Sequence, residues 1–123
     1  MGFERVARLS DITEDAPLGV RVSEVRIGLY QTGGRLYAME DDCPHAGLPL
    51  HEGTVDETRV ICAGHGWEFD LETGLAPGEQ AEEPLTRYPV RIEGDDVYVD
   101  VTAPITRGHA PGTPVAAARP RSV

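Results

Sequence analysis

The sequence predicts an all-β domain, and two features of the chain support this prediction. The 123 residues include 14 glycines and 10 prolines, a density of turn formers that favours short strands joined by loops. Two apolar, β-branched stretches fold back around glycine turns: residues 26–39 around Gly33-Gly34, and residues 85–101 around Gly94-Asp95. Neither an amphipathic helical period nor an internal repeat is visible, so we expect an antiparallel sandwich or barrel.

The remaining elements are predicted from alternating apolar and polar residues and from the glycines and prolines that separate them. Further strands are predicted at residues 3–12, 19–25, 59–62 and 67–71, and the segment 41–53 lacks a period and reads as a structured loop. After residue 102 the composition shifts to Ala, Pro, Gly, Thr and Arg without an apolar period. We therefore expect one domain over residues 1–102 and a flexible or surface-draped C-terminal tail over residues 103–123.

The charge balance limits the classes of partner. The formal net charge is −10, which disfavours nucleic acid and anionic membranes and favours a basic protein surface. The N-terminus never develops an apolar run, so no signal peptide, membrane anchor or membrane association is expected, and a cytoplasmic location is the default. Two cysteines in a reducing compartment are better candidates for metal or redox chemistry than for a disulfide.

Two short loops combine cysteine with histidine. Cys43-Pro44-His45 is followed, after sixteen intervening residues, by Cys62-Ala63-Gly64-His65. Each loop offers one thiolate and one imidazole, the donors that zinc and iron–sulfur clusters accept. Zinc sites usually pair Cys with Cys and His with His, whereas a two-iron cluster can place both thiolates on one iron and both imidazoles on the other. The mixed loops therefore favour an iron–sulfur cluster, with a zinc site as the competing interpretation.

This pattern resembles the Rieske 2Fe–2S signature, Cys-x-His followed by Cys-x-x-His. The flanking residues also resemble it, as Gly53 follows the first loop and Gly66-Trp67-Glu68-Phe69 follows the second. The resemblance covers roughly residues 3–101 and extends to soluble ferredoxins of oxygenase systems and to the small subunit of assimilatory nitrite reductases. It implies the Rieske iron–sulfur fold with two cluster-binding loops at its tip, and one 2Fe–2S cluster held by Cys43, His45, Cys62 and His65.

The resemblance also implies a role. We expect a one-electron carrier, monomeric on its own, that passes electrons from a ferredoxin reductase to a terminal oxygenase of the ring-hydroxylating dioxygenase type, with no catalytic residue of its own. Two alternatives remain open: an iron–sulfur subunit of a nitrite reductase-like complex, and a zinc-stabilised binding module without redox activity. Metal analysis separates the zinc module from the other two.

Two further expectations concern the surroundings of the cluster. Respiratory Rieske proteins carry Ser and Tyr hydroxyls after the second ligand histidine, where this chain has Trp67 and Phe69, so we expect a potential near the low end of the Rieske range, about −150 mV. Acidic residues near the loops are candidates for a docking rim, while His51 is expected to be an ordinary loop residue. The candidate rim comprises Asp41, Asp42, Glu52, Glu79, Glu82 and Glu83.

Overall fold

The computed structural model describes residues 2–42, 48–64, 68–75 and 84–115, and in these residues every strand pairing is antiparallel. The predicted all-β fold is confirmed. The strands are β1 (Glu4–Arg8), β2 (Leu18–Val22), β3 (Val25–Thr32), β4 (Arg35–Glu40), β5 (Thr54–Asp56), β6 (Arg59–Ile61), β7 (Glu68–Asp70), β8 (Arg87–Tyr88), β9 (Val90–Glu93), β10 (Asp96–Val99) and β11 (Thr113–Pro114). Two 3-10 turns accompany them, at Leu9–Asp11 and Leu50–Glu52.

The strands form three small sheets. One has the order β1-β10-β9, a second the order β11-β4-β3-β2 with β8 also paired to β4, and the third the order β5-β6-β7. Strands β3 and β4 lie at the centre of the second sheet and form the predicted hairpin, with Thr32 opposite Arg35. Among the residues that the structure describes, no helix is long and apolar enough to cross a membrane.

The central hairpin buries both of its faces. Ile27 and Leu29 of β3 belong to one apolar cluster, which includes residues of β1, β9 and β10. Tyr30 of β3 points to the opposite face and joins a second cluster, which contains Tyr37, Met39, Leu50, Val60, Cys62, Phe69, Leu71 and Leu85. Because successive side chains alternate across a strand, the near-continuous apolar run of β3 supplies both clusters.

Turn geometry explains which hairpins the sequence could reveal. Gly33 and Gly34 both have positive φ angles, 62° and 76°, as a two-residue turn of type I′ requires. Ser23 and Glu24 adopt the same left-handed conformation between β2 and β3, with φ angles of 49° and 70°. The predicted strand 19–25 therefore ends at Val22, because a turn lies where the sequence carries no glycine or asparagine.

The segment after residue 102 packs on the body of the domain as far as it is described. Ile105 exchanges backbone hydrogen bonds with Arg87, at 3.0 and 2.7 Å, and β11 pairs with β4. Val115 is only 7% exposed and belongs to the first apolar cluster. Buried Arg87 donates to the backbone carbonyls of Glu72 and Gly108, at 2.5 and 2.7 Å. These contacts place residues 104–115 against the sheet.

Candidate metal centre

Of the four predicted cluster ligands, Cys62 is the one that the structure describes. It follows directly after β6, is 2% exposed, and is a free thiol within the second apolar cluster. Cys43, His45 and His65 lie outside the described residues, as do Trp67 and the predicted rim residues Glu79, Glu82 and Glu83.

The described residues flanking the first ligand loop are held close to Cys62. Leu50, five residues after His45, is fully buried in the same apolar cluster as Cys62. Gly53 lies so near the carbonyl oxygen of Ile61 that a side chain at this position would collide with backbone. Its φ angle is −85°, so glycine is needed here for space rather than for backbone freedom. The chain leaving the first loop thus runs against the strand that leads into the second.

A buried carboxylate fixes the residues preceding Cys43. Asp41 is 4% exposed and accepts a hydrogen bond of 2.8 Å from the backbone N–H of His51. Its second oxygen lies 2.6 Å from His51 Nδ1. The imidazole ring packs over Gly19, where an added methyl group would come within 2.5 Å of the ring. Asp41 therefore ties the entrance of the first ligand loop to the 3-10 turn that follows it.

These contacts correct one expectation of the sequence. Asp41 cannot belong to an exposed acidic docking rim, because its carboxylate is buried and bonded within the domain. Glu52 is exposed, and the side chain of Asp42 is 48% exposed. His51 is a structural partner of Asp41, with its side chain 28% exposed.

One polar atom near Cys62 has no partner among the described residues. The side chain of Tyr30 is fully buried in the second apolar cluster, and its hydroxyl makes no hydrogen bond there. Burial raises the pKa of Tyr30 well above its usual range, and the negative charges of Asp41 and of Cys62 as thiolate raise it further. The phenol is therefore a proton donor at all ordinary pH values.

The described residues suit a cluster held by a thiolate. A buried free cysteine lies in an apolar cluster that also contains an unpartnered hydroxyl. Thiolates hold iron–sulfur clusters, and hydrogen bonds to the sulfurs help to set their potential. Within residues 2–42, 48–64, 68–75 and 84–115 no three or more His, Cys, Asp or Glu side chains gather into a metal site. The complete ligand set Cys43, His45, Cys62 and His65 thus stays a prediction.

Comparison with known proteins gives the class of this chain. The family profile described as "Rieske [2Fe-2S] domain" matches residues 3–89. The chain belongs to this family, and its cofactor is accordingly a Rieske-type 2Fe–2S cluster. The expected resemblance, fold and cofactor are confirmed.

Several relatives and solved structures that resemble the chain are ferredoxins. The chain is 38% identical over 94 residues to the 3-phenylpropionate/cinnamic acid dioxygenase ferredoxin subunit of Escherichia coli strain K12, covering 76% of this chain and 88% of that one. It resembles the Sphingomonas yanoikuyae B1 ferredoxin with a TM-score of 0.73 and 27% identity, over 80% of this chain and 98% of the other. A chain from the complex of reduced oxygenase and oxidized ferredoxin in carbazole 1,9a-dioxygenase gives a TM-score of 0.70 and 32% identity, over 79% and 91%. The protein is an electron carrier, not a catalyst acting alone.

Sequence reasoning missed two residues of this region. The sequence predicts a surface position for Asp41, because its partner, His51, lies ten residues further on and no local pattern links them. For Tyr30 the sequence predicts only a place in the hairpin, because alternation along β3 does not reveal what an inward side chain contacts. A tyrosine at an inward position of a strand, two residues after a glycine, is the one signal that the sequence offered.

Proposed function

We propose that this chain carries single electrons from a ferredoxin reductase to a terminal oxygenase of the ring-hydroxylating dioxygenase type, using a 2Fe–2S cluster held by Cys43, His45, Cys62 and His65. The observation that carries the proposal is the buried free thiol of Cys62 within the motif Cys43-x-His45 and Cys62-x-x-His65. When bound, such a cluster accepts and releases one electron without bond rearrangement.

The residues of the chain would each serve a simple role. Cys62 supplies a thiolate from the end of a strand, so its position is fixed by the β5-β6-β7 sheet. The apolar side chains of Leu50, Val60 and Phe69 keep water away from that sulfur. Asp41 holds the chain that enters the first loop, through two contacts with His51. These devices keep the centre rigid, which suits electron transfer because little reorganisation accompanies it.

The charge of the chain supports transient encounters with partner proteins. The formal charge of −10 favours fast, salt-sensitive association with basic surfaces. We propose that the carrier is monomeric on its own and works in the cytoplasm, meeting reductase and oxygenase in turn.

The ligand set is tested by histidine variants of the whole chain. His45→Ala and His65→Ala should lose the nitrogen hyperfine couplings of the reduced centre and most of the iron. His109→Ala is the matched control, since the side chain of this histidine is 61% exposed and pairs with the carboxylate of Glu72. Full iron content with unchanged nitrogen couplings in both ligand variants would contradict the assignment.

The direction of electron flow is tested by stopped-flow mixing. The chemically reduced protein is mixed with the oxidised oxygenase component of a 3-phenylpropionate/cinnamic acid dioxygenase, and its reoxidation is followed by visible absorbance. We expect saturable reoxidation that slows as ionic strength rises. No reoxidation by the oxygenase, together with rapid reoxidation by the large subunit of a nitrite reductase, would favour the nitrite reductase alternative.

A further inference from the structure

Tyr30 differs from its paired neighbour, Tyr37, in what its hydroxyl meets. The two tyrosines lie opposite each other in the β3–β4 hairpin and belong to the same apolar cluster. The Tyr37 hydroxyl donates to Glu72 at 2.8 Å, whereas the Tyr30 hydroxyl has no partner in the described part of the chain. A buried hydroxyl without a partner costs free energy, so a partner in the assembled protein is expected.

The hydroxyl of Tyr30 points toward the ligand-loop end of the sheet. The ring lies back over Gly28 on its own strand, where an added methyl group would come within 2.5 Å of Tyr30 Oη. Gly28 pairs with Met39, and the preceding residue, Ile27, pairs with Glu40. Glu40 is the last residue of β4 before the first ligand loop. Gly28 has no positive φ angle, so the missing side chain provides room for the phenol.

The same apolar cluster contains the second ligand loop's first residue. Cys62 and Tyr30 are both buried in it. The position in β7 where respiratory Rieske proteins carry a hydroxyl is Phe69, whose side chain has no donor. A donor from β3 would supply the hydrogen bond that Phe69 cannot.

We propose that the Tyr30 hydroxyl donates a hydrogen bond to a sulfide of the bound cluster close to Cys62, and so raises the reduction potential of this carrier. The inference rests on the proposed ligand set. Reduction adds one negative charge to the sulfur-bound centre, and a donor stabilises the reduced form more than the oxidised one. Tyr30 then offsets part of the lowering expected from Trp67 and Phe69, and the potential lies above the value expected from those two positions.

The test compares two hydroxyl deletions in the full-length, cluster-loaded protein. Tyr30→Phe should weaken electron acceptance about tenfold, which is about 59 mV for a one-electron couple. Tyr37→Phe is the matched control, because it removes a hydroxyl bonded to Glu72 from the paired position, and its effect should stay below twofold. Equal shifts in both variants, or no shift in Tyr30→Phe, would overturn the inference.

A second experiment measures the reduction potential while the aromatic ring and hydroxyl of Tyr30 stay in place. Uniform 3-fluorotyrosine makes the phenol a stronger donor, and in the Tyr37→Phe background it should raise the potential. The same substitution in a chain that also carries Tyr30→Phe should leave the potential unchanged. A potential that is insensitive to fluorination while Tyr30 is present would refute the hydrogen bond even if Tyr30→Phe folds poorly.

The outcomes separate this inference from the proposed function. Iron, sulfide and EPR spectra of the unsubstituted protein report whether the cluster and its ligands are present. A protein without the cluster contradicts the proposed function itself. A protein with the cluster whose potential ignores Tyr30 leaves the electron carrier intact and removes only the role of this hydroxyl.

Discussion

The hydrogen bonds of Asp41 give the sharpest prediction about the ligand loop. Asp41→Ala removes the acceptor of the His51 backbone N–H and of its ring, at 2.8 and 2.6 Å. The ring is partly exposed and can turn to water, but the part-buried backbone N–H loses its only described acceptor. A hydrogen bond to a charged group contributes about 1.5–3 kcal/mol, so we expect a loss of about 2 kcal/mol.

The neighbouring residue is the control for this substitution. Asp42→Ala removes a carboxylate that is 48% exposed and lies 3.9 Å from Arg26, a solvent-screened pair. Exposed pairs of this kind contribute at most about 0.5–1 kcal/mol. Both variants lose one negative charge beside Cys43, so a difference between them reports the buried bonds and not the net charge.

The rate of cluster loss is the suitable assay, because unfolding of a cluster protein is not a reversible two-state reaction. Bleaching of the visible absorbance is followed in urea at several concentrations. If the bonds of Asp41 are broken in the transition state for opening, about 2 kcal/mol accelerates bleaching about 30-fold. Asp42→Ala should change the rate less than about fivefold. Equal bleaching rates in the two variants would refute the claim that Asp41 anchors the loop.

Three further predictions use stability measurements on the loaded protein. Gly19→Ala should displace the His51 ring, which a methyl group would approach within 2.5 Å, and lower the thermal midpoint, while an unchanged midpoint would contradict this packing. Burial acts to raise the pKa of Glu72, but its hydrogen bonds to Tyr37 and a neighbouring histidine outweigh this and lower the pKa. The bonded carboxylate therefore contributes stability above the unfolded pKa, about 4.3, and this stability is lost as pH falls through the lower folded pKa. Glu72→Gln should make the thermal midpoint depend less on pH in that acidic window. Val115→Ala, in the apolar core, should cost about 1–3 kcal/mol, and a surface-like loss below about 0.5 kcal/mol would contradict its burial.

Local signals account for the parts of the fold that the sequence predicted. The β3–β4 hairpin was recognisable because Gly33 and Gly34 both adopt positive φ angles, which few other residues accept. The β2–β3 turn was missed because Ser23 and Glu24 adopt that conformation without a glycine. Strand β11 has two residues, too few for any period, and its position depends on pairing with β4 across about 75 residues of chain.

The same distinction holds at the metal centre. The motifs Cys43-x-His45 and Cys62-x-x-His65 are visible in the sequence because each spans three or four residues. Their spacing also indicates the family. The burial of Asp41 and the orientation of Tyr30 depend on contacts with His51 and with the space above Gly28, which the fold creates. Sequence patterns therefore give a predicted ligand set, which stays a prediction, and the structure was needed for the residues that surround Cys62.

We propose that this chain carries one electron on a cluster with mixed histidine and cysteine ligands. The most direct test is the EPR spectrum of anaerobically purified protein before and after dithionite, with iron, sulfide and zinc counted. We expect two irons and two sulfides per chain, no signal when oxidised, and on reduction the low-average-g signal of a Rieske centre with nitrogen couplings. A colourless protein that holds one zinc and gives no EPR signal on reduction would contradict it.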